Sequence, residues 1–129
     1  MMAKPIRILV VDDDPEIRNV LDRFLSERGY EVETAADGEE GLAALRLKPP
    51  NVLLMDLEMP RLSGLEVLRR MKMERIDVPV ITISGHPVAE ELLGPDSLKL
   101  GAENFIHKPF DLEYLETTLV SKLQSLSAE

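Results

Sequence analysis

Three carboxylates stand together at Asp12-Asp13-Asp14, another at Asp56, a hydroxyl at Ser84 and an ammonium at Lys108. Each group closes a short run that reads as a strand: 6–11 before Asp12, 52–55 before Asp56, 78–83 before Ser84 and 104–107 before Lys108. If those strands run parallel in an open sheet, the groups that follow them gather along one edge, where such sheets bind ligands. Gathered there, Asp12, Asp13 and Asp56 repel one another, and a single lysine does not neutralise three negative charges. A hard divalent cation does, and a donor set of oxygen alone favours Mg²⁺ over zinc or copper.

Taken singly, each residue has an ordinary explanation. Asp14, before Pro15, is a helix N-cap. Asp12 and Asp13 serve as capping or solvated charges as readily as ligands. Asp56, just ahead of Met59-Pro60, reads as a turn residue, Ser84 as a strand-end hydroxyl and Lys108 as a solvated lysine. Their joint placement at the ends of four strands is what argues for one site.

The elements that would position them follow from periodicity. The run 6–11 is apolar and rich in β-branched residues, the pattern of a strand covered on both faces. Ile17, Val20, Leu21, Phe24 and Leu25 recur at helical spacing, and Gly29 ends that helix. A second strand at 30–35 leads to a helix capped by Asp37 and running to Leu47, weakened by Gly41 in its interior. Lys48-Pro49-Pro50 breaks it. A third strand at 52–55 precedes a helix at 64–73, and a fourth at 78–83 precedes a helix at 88–100 interrupted by Gly94-Pro95. The strand at 104–107 leads to a last helix capped by Asp111, with Leu112, Leu115, Leu119, Leu123 and Leu126 on one face. From Ser121 onward the chain is expected to fray. Strict alternation of strand and helix implies an α/β fold, a parallel sheet with helices on both sides and right-handed crossovers.

Composition fits this reading and removes others. One domain suits 129 residues with 44% hydrophobic and 30% charged side chains. We place its bounds at 4–126, with 127–129 as tail. The balance of 15 Lys+Arg against 24 Asp+Glu, a net charge of −9, argues against direct nucleic-acid binding. With 0 cysteines there is no disulfide, thiolate metal site or Cys nucleophile. The apolar run 6–11 is too short for a signal core or a membrane span, so a cytoplasmic location is the default expectation.

Four motifs, in this order and spacing, resemble those of response-regulator receiver domains of two-component signal transduction. They are Leu-Val-Val-Asp-Asp-Asp-Pro-Glu-Ile-Arg (9–18), Met-Asp-Leu-Glu-Met-Pro (55–60), Ile-Ser-Gly-His (83–86) and Gly-Ala-Glu-Asn-Phe-Ile-His-Lys-Pro-Phe (101–110). The resemblance extends from Ile6 to about Leu123. It implies a flavodoxin-like, doubly wound sheet of five parallel strands in the order 2-1-3-4-5. It implies that Asp56 is the phosphoacceptor and that Asp13, Asp56 and the backbone carbonyl of Glu58 ligate Mg²⁺, or Mn²⁺ in its place, with Asp12 acting through water. Ser84, Gly85 and Lys108 would hold phosphoryl oxygens, and Lys108-Pro109 would be cis. Ser84 would move toward the phosphoryl group and Phe105 would turn inward after it; a phenylalanine buried there leaves no hydroxyl unsatisfied. Glu58 and His86 would tune the lifetime of the phosphoryl group. His107 is expected to be neither phosphodonor nor metal ligand.

The same resemblance names partners: a sensor histidine kinase or His-containing phosphotransfer protein upstream, and an output domain or protein downstream. The output surface, and any homodimer, would use the face of the 88–100 helix, the last strand and the last helix. Gly94-Pro95 departs from the unbroken helix usual there, so the resemblance does not carry over the shape of that face or of a dimer built on it. Ser84-Gly85-His86 is similar to receivers joined to transcriptional activators. No multiple-turnover chemistry on an external substrate is implied. The rivals are a haloacid-dehalogenase-type phosphatase, a flavin-binding flavodoxin and a receiver that works without phosphorylation. The first needs a second Asp where Glu58 stands and usually a cap domain. The second needs a hydroxyl- and Gly-rich loop where Asp12-Asp13-Asp14 stands.

Overall fold

The structure, a computed structural model, describes residues 4–84 and 102–127. The expected helix at 88–100, its Gly94-Pro95 break, Gly85 and His86 lie outside the described residues. The elements are β1 (Arg7–Val11), α1 (Pro15–Glu27), β2 (Glu31–Ala35), α2 (Gly38–Leu47), β3 (Val52–Asp56), α3 (Gly64–Met73), β4 (Val80–Ser84), β5 (Ala102–His107) and α4 (Leu112–Ser127). They form one sheet in the order β2-β1-β3-β4-β5, and every neighbouring pair is parallel. This is the order expected.

Strand side chains alternate between two apolar layers. Leu9 and Val11 of β1 join Leu53 and Met55 of β3, with Leu42 and Leu45 of α2 and Val67, Leu68 and Met71 of α3. Ile8 and Val10 face the other way and join Leu54, Ile81 and Ile83, with Leu21 and Leu25 of α1 and Leu115 and Leu119 of α4. β1, β3 and β4 lie inside the sheet and are buried almost throughout, whereas the edge strand β2 exposes Glu31 and Glu33. Arg7 spans to Glu33 at 3.4 Å and Glu31 at 4.0 Å, placing opposite charges across the β1–β2 pair.

The helix starts are set by short polar side chains. Asp14 Oδ1 accepts from the Glu16 N–H at 2.9 Å, Asp37 Oδ1 from the Glu40 N–H at 2.9 Å, and Asp111 Oδ1 from the Glu113 N–H at 2.8 Å. Ser63 caps α3 in the same way through the Glu66 N–H at 3.2 Å.

Two expectations need correction. The fraying assigned from Ser121 onward is not found, because α4 continues to Ser127. Leu123 packs against the second apolar layer, and the Ser125 hydroxyl donates to the Lys122 carbonyl at 2.8 Å, so packing and local bonding extend the helix. Gly41 does not merely weaken α2. A Cβ there would stand 3.0 Å from Val11 Cγ2, so any side chain would press on Val11 and ask it to give by a few tenths of an ångström; the glycine also serves the close approach of α2 to β1.

Candidate functional site

The carboxyl ends of β1, β3 and β4 and the segment after β5 meet at one edge. Asp12 follows β1 directly and stays tied to the sheet through its N–H, which donates to the Ala35 carbonyl at 3.2 Å. Its side chain is 1% exposed; Oδ1 accepts from the Asp14 N–H at 2.9 Å. Asp56 ends β3 and is 4% exposed; its Oδ1 accepts from the Glu58 N–H at 3.0 Å. Lys108 bridges the two carboxylates, with Nζ 2.8 Å from Asp12 Oδ2 and 3.3 Å from Asp56 Oδ2. The Lys108–Pro109 peptide is cis. The strand ends are held in place by the Leu57 N–H donating to the Ile83 carbonyl at 2.9 Å and the Lys108 N–H donating to the Ser84 carbonyl at 2.7 Å.

The charges are poised unequally. Burial pushes the Asp56 carboxyl from its usual 3.8 up to about 6; the Glu58 N–H and the Lys108 charge oppose that rise and the Asp12 charge adds to it. Burial alone would lower Lys108, but its hydrogen bond to Asp12 and the charges of Asp56 and Asp12 outweigh it and leave the ammonium raised.

Asp12, Asp13 and Asp56 each place one carboxylate oxygen within 4.8 Å of the others, with Asp13 exposed and the other two buried. Three anionic oxygens without nitrogen or sulfur suit a hard divalent cation, and the exposed Asp13 leaves an approach from solvent. The donor set therefore fits the Mg²⁺ expected from the sequence. Gly64 makes the local geometry possible. A Cβ there would lie 2.6 Å from the Asp56 carbonyl oxygen and 2.8 Å from Leu57 Cα, so a larger residue would displace the end of β3.

Residues 8–120 match the family described as the response regulator receiver domain. The chain belongs to that family. A response regulator MprA of Mycobacterium sp. (strain KMS) is 40% identical over 126 residues, which cover 97% of this chain and 54% of that protein. A probable transcriptional regulator ycf27 of Cyanophora paradoxa is 42% identical over 119 residues, 92% of this chain and 48% of the relative. The chain thus spans about half the length of the curated relatives it matches. Among solved structures, a CheY-like receiver domain protein from Methanospirillum hungatei JF-1 shares 33% identity and a TM-score of 0.88, covering 97% of this chain and 98% of that one. The Vibrio cholerae chemotaxis protein CheY4 shares 32% identity and a TM-score of 0.82, covering 92% and 98%.

Within this receiver, Asp12, Asp13, Asp56 and Lys108 come together, and Asp14 is a cap. Ser84 is wholly buried at the end of β4, and its hydroxyl donates to Glu58 Oε1 at 2.7 Å. Phe105 is half-buried, packs against the layer containing Leu9 and Val11, and pairs in register with Thr82. His107 is exposed and pairs in register with Ser84. The sequence reading missed two contacts: the Glu58 carboxylate on Ser84, and the Arg18 guanidinium donating to the Asp12 carbonyl at 2.6 Å. Glu58 was singled out by its place two residues after Asp56, but no local pattern pointed it at a hydroxyl 26 residues away. Arg18 closes the first motif (9–18), but nothing in the sequence assigns its side chain a partner.

Proposed function

We propose that this receiver domain is the phosphoacceptor switch of a two-component relay, taking a phosphoryl group from a histidine kinase or a His-containing phosphotransfer protein onto Asp56. The single observation that carries the reading is a buried Asp56 beside Asp12 and Asp13, with the Lys108 ammonium 3.3 Å from its Oδ2. An oxygen of the Asp56 carboxylate attacks phosphorus, the P–N bond to the donor imidazole breaks, and its electron pair stays on nitrogen. The product is an acyl phosphate whose hydrolysis ends the signal, so the chain is consumed and restored rather than turning over an external substrate.

Each step has a residue suited to it. The Glu58 N–H fixes Asp56 Oδ1, and Lys108 is placed to meet negative charge arriving beside Oδ2. With a pKa of about 6, Asp56 is mostly ionised near neutral pH, as a nucleophile must be. Mg²⁺, or Mn²⁺, held by Asp13 and Asp56 with the Glu58 carbonyl and by Asp12 through water, would neutralise the carboxylates and the incoming group. Ser84 and Gly85 complete the phosphoryl contacts, His86 and Glu58 tune its lifetime, and Phe105 carries the change toward the face that includes β5 and α4. An output domain or protein, or a second copy of the chain, reads that face. The relay operates in the cytoplasm; among the described residues no helix is long and apolar enough to cross a membrane.

The test is incubation with acetyl phosphate and Mg²⁺ followed by intact-mass measurement. The expected result is a phosphoryl adduct that is absent in Asp56→Asn and in EDTA. Absence of an adduct in the unmodified chain, with no binding of beryllofluoride, would favour a phosphorylation-independent interaction module. Sustained turnover of a small phosphate ester would favour a phosphatase.

A further inference from the structure

Glu58 grips both reacting neighbours at once. Its N–H donates to Asp56 Oδ1 at 3.0 Å, and its carboxylate Oε1 accepts from the Ser84 hydroxyl at 2.7 Å. Ser84 is 0% exposed, while Glu58 is exposed, so a surface carboxylate reaches inward to a fully buried donor. The main chain around Ser84 is fixed on both sides. Ile83 accepts from the Leu57 N–H at 2.9 Å and Ser84 from the Lys108 N–H at 2.7 Å. With the backbone held by the sheet, the freedom left to the hydroxyl is rotation about its own Cα–Cβ bond.

A serine hydroxyl has one proton to donate. A bond from it to an ionised carboxylate is among the stronger hydrogen bonds a protein makes. The same proton is the one that would meet a phosphoryl oxygen on Asp56. We infer that Glu58 is a positioning residue that retains the Ser84 hydroxyl in the resting chain, and that phosphorylation proceeds to the signalling state when Ser84, keeping its proton, exchanges the Glu58 carboxylate for the phosphoryl group as the acceptor of its hydrogen bond. The inference rests on Asp56 as phosphoacceptor. It gives the Glu58 side chain a task distinct from the carbonyl ligand role of the same residue: it subtracts from the stability of the phosphorylated form and keeps the unphosphorylated form off. A carboxylate acting only as a negative charge would also oppose an incoming anion, but its effect would not depend on Ser84.

A double-substitution cycle on the 129-residue chain separates these cases. Beryllofluoride with saturating Mg²⁺ is titrated into the unmodified chain, Glu58→Ala, Glu58→Gln, Ser84→Ala and the Glu58→Ala/Ser84→Ala pair, with amide NMR shifts as the readout. With Ser84 present, Glu58→Ala is expected to tighten binding about 10-fold, the low end of what a hydrogen bond to a charged group is worth. With Ser84→Ala the gain should fall to about 2-fold. Glu58→Gln keeps an acceptor oxygen without the charge and should fall between. Equal gains in the two backgrounds would overturn the exchange and leave Glu58 as a charge alone. Thermal unfolding of the ligand-free cycle reads the contact itself: the two substitutions should be non-additive, and additivity would overturn the contact. If beryllofluoride binds no form, the phosphoacceptor reading falls and the exchange with it, while the ligand-free cycle still reports whether Glu58 holds Ser84.

Discussion

Leu53 and Asp56 lie three residues apart on β3 and are almost equally hidden, at 0% and 4% exposed. What hides them is opposite in kind. Leu53 belongs to a layer of aliphatic side chains from β1, α2 and α3. Asp56 is hidden among a lysine, two more carboxylates and a backbone N–H. Among the described residues the buried polar or charged side chains are Asp12, Asp56, Thr82 and Ser84; Thr82 sits at the middle of β4, and the other three stand at the carboxyl end of a strand or just beyond it. The strand centres contribute apolar burial to stability. The carboxyl edge holds groups that would be more comfortable in water, in positions the centres enforce.

Four experiments would break or sharpen that contrast. Leu53→Ala removes packing from the strand centre and should cost about 3–5 kcal/mol by urea unfolding. A loss below about 1 kcal/mol would mean that the centre is not what holds the edge. Lys108→Met leaves Asp12 and Asp56 without their shared cation and should cost about 2–3 kcal/mol near neutral pH. Part of that loss should return with added Mg²⁺; an equal loss with and without the ion would argue against a cation site at these carboxylates.

Asp56→Asn should act in the opposite direction. The folded-state carboxyl titrates at about 6 and the unfolded one near 3.8, so between those values the folded chain holds the extra proton. Stability therefore falls as pH rises through that window and stays reduced above it. The asparagine variant escapes this loss. It should be more stable than the unmodified chain by about 1–2 kcal/mol above pH ~7 in the absence of divalent ions, and this gain should be lost below pH ~4. A gain that persists unchanged at low pH would show that the carboxylate charge is not its source. Arg46→Gln removes the exposed pair to Glu74, at 2.8 and 2.7 Å, and should move the unfolding midpoint least of the four. What change there is should disappear in high salt.

The element order was readable because it depends on local signals. Alternation of apolar strands with helical spacing, Asp14, Asp37 and Asp111 as caps, and the break at Lys48-Pro49-Pro50 all act within a few residues. Candidate residues were readable for a related reason. In a parallel sheet every strand delivers its last residue to the same edge, so Asp12, Asp56 and Ser84 could be placed together before any distance was known. Ser121 and Ser125 suggest fraying by themselves, whereas α4 runs to Ser127 with Leu123 held by a layer that no local window contains.

Other features exist only once the sheet has assembled. Lys108 lies 96 residues from Asp12 in sequence and 2.8 Å from it in space. Glu58 reaches Ser84 because β3 and β4 are neighbours in register, with Asp56 beside Ile83. The raised pKa of Asp56 comes first from burial, and burial is a property of what packs around a residue rather than of its sequence neighbours. Gly41 likewise read as a weak point in a helix until α2 was set against Val11. The sequence by itself determined which groups are present, the order of strands and helices, and the edge to which the strands deliver their acids. The tertiary structure decided which acid shares the lysine, which is desolvated and which carboxylate holds the serine, because each of these depends on distances across strands that are far apart along the chain.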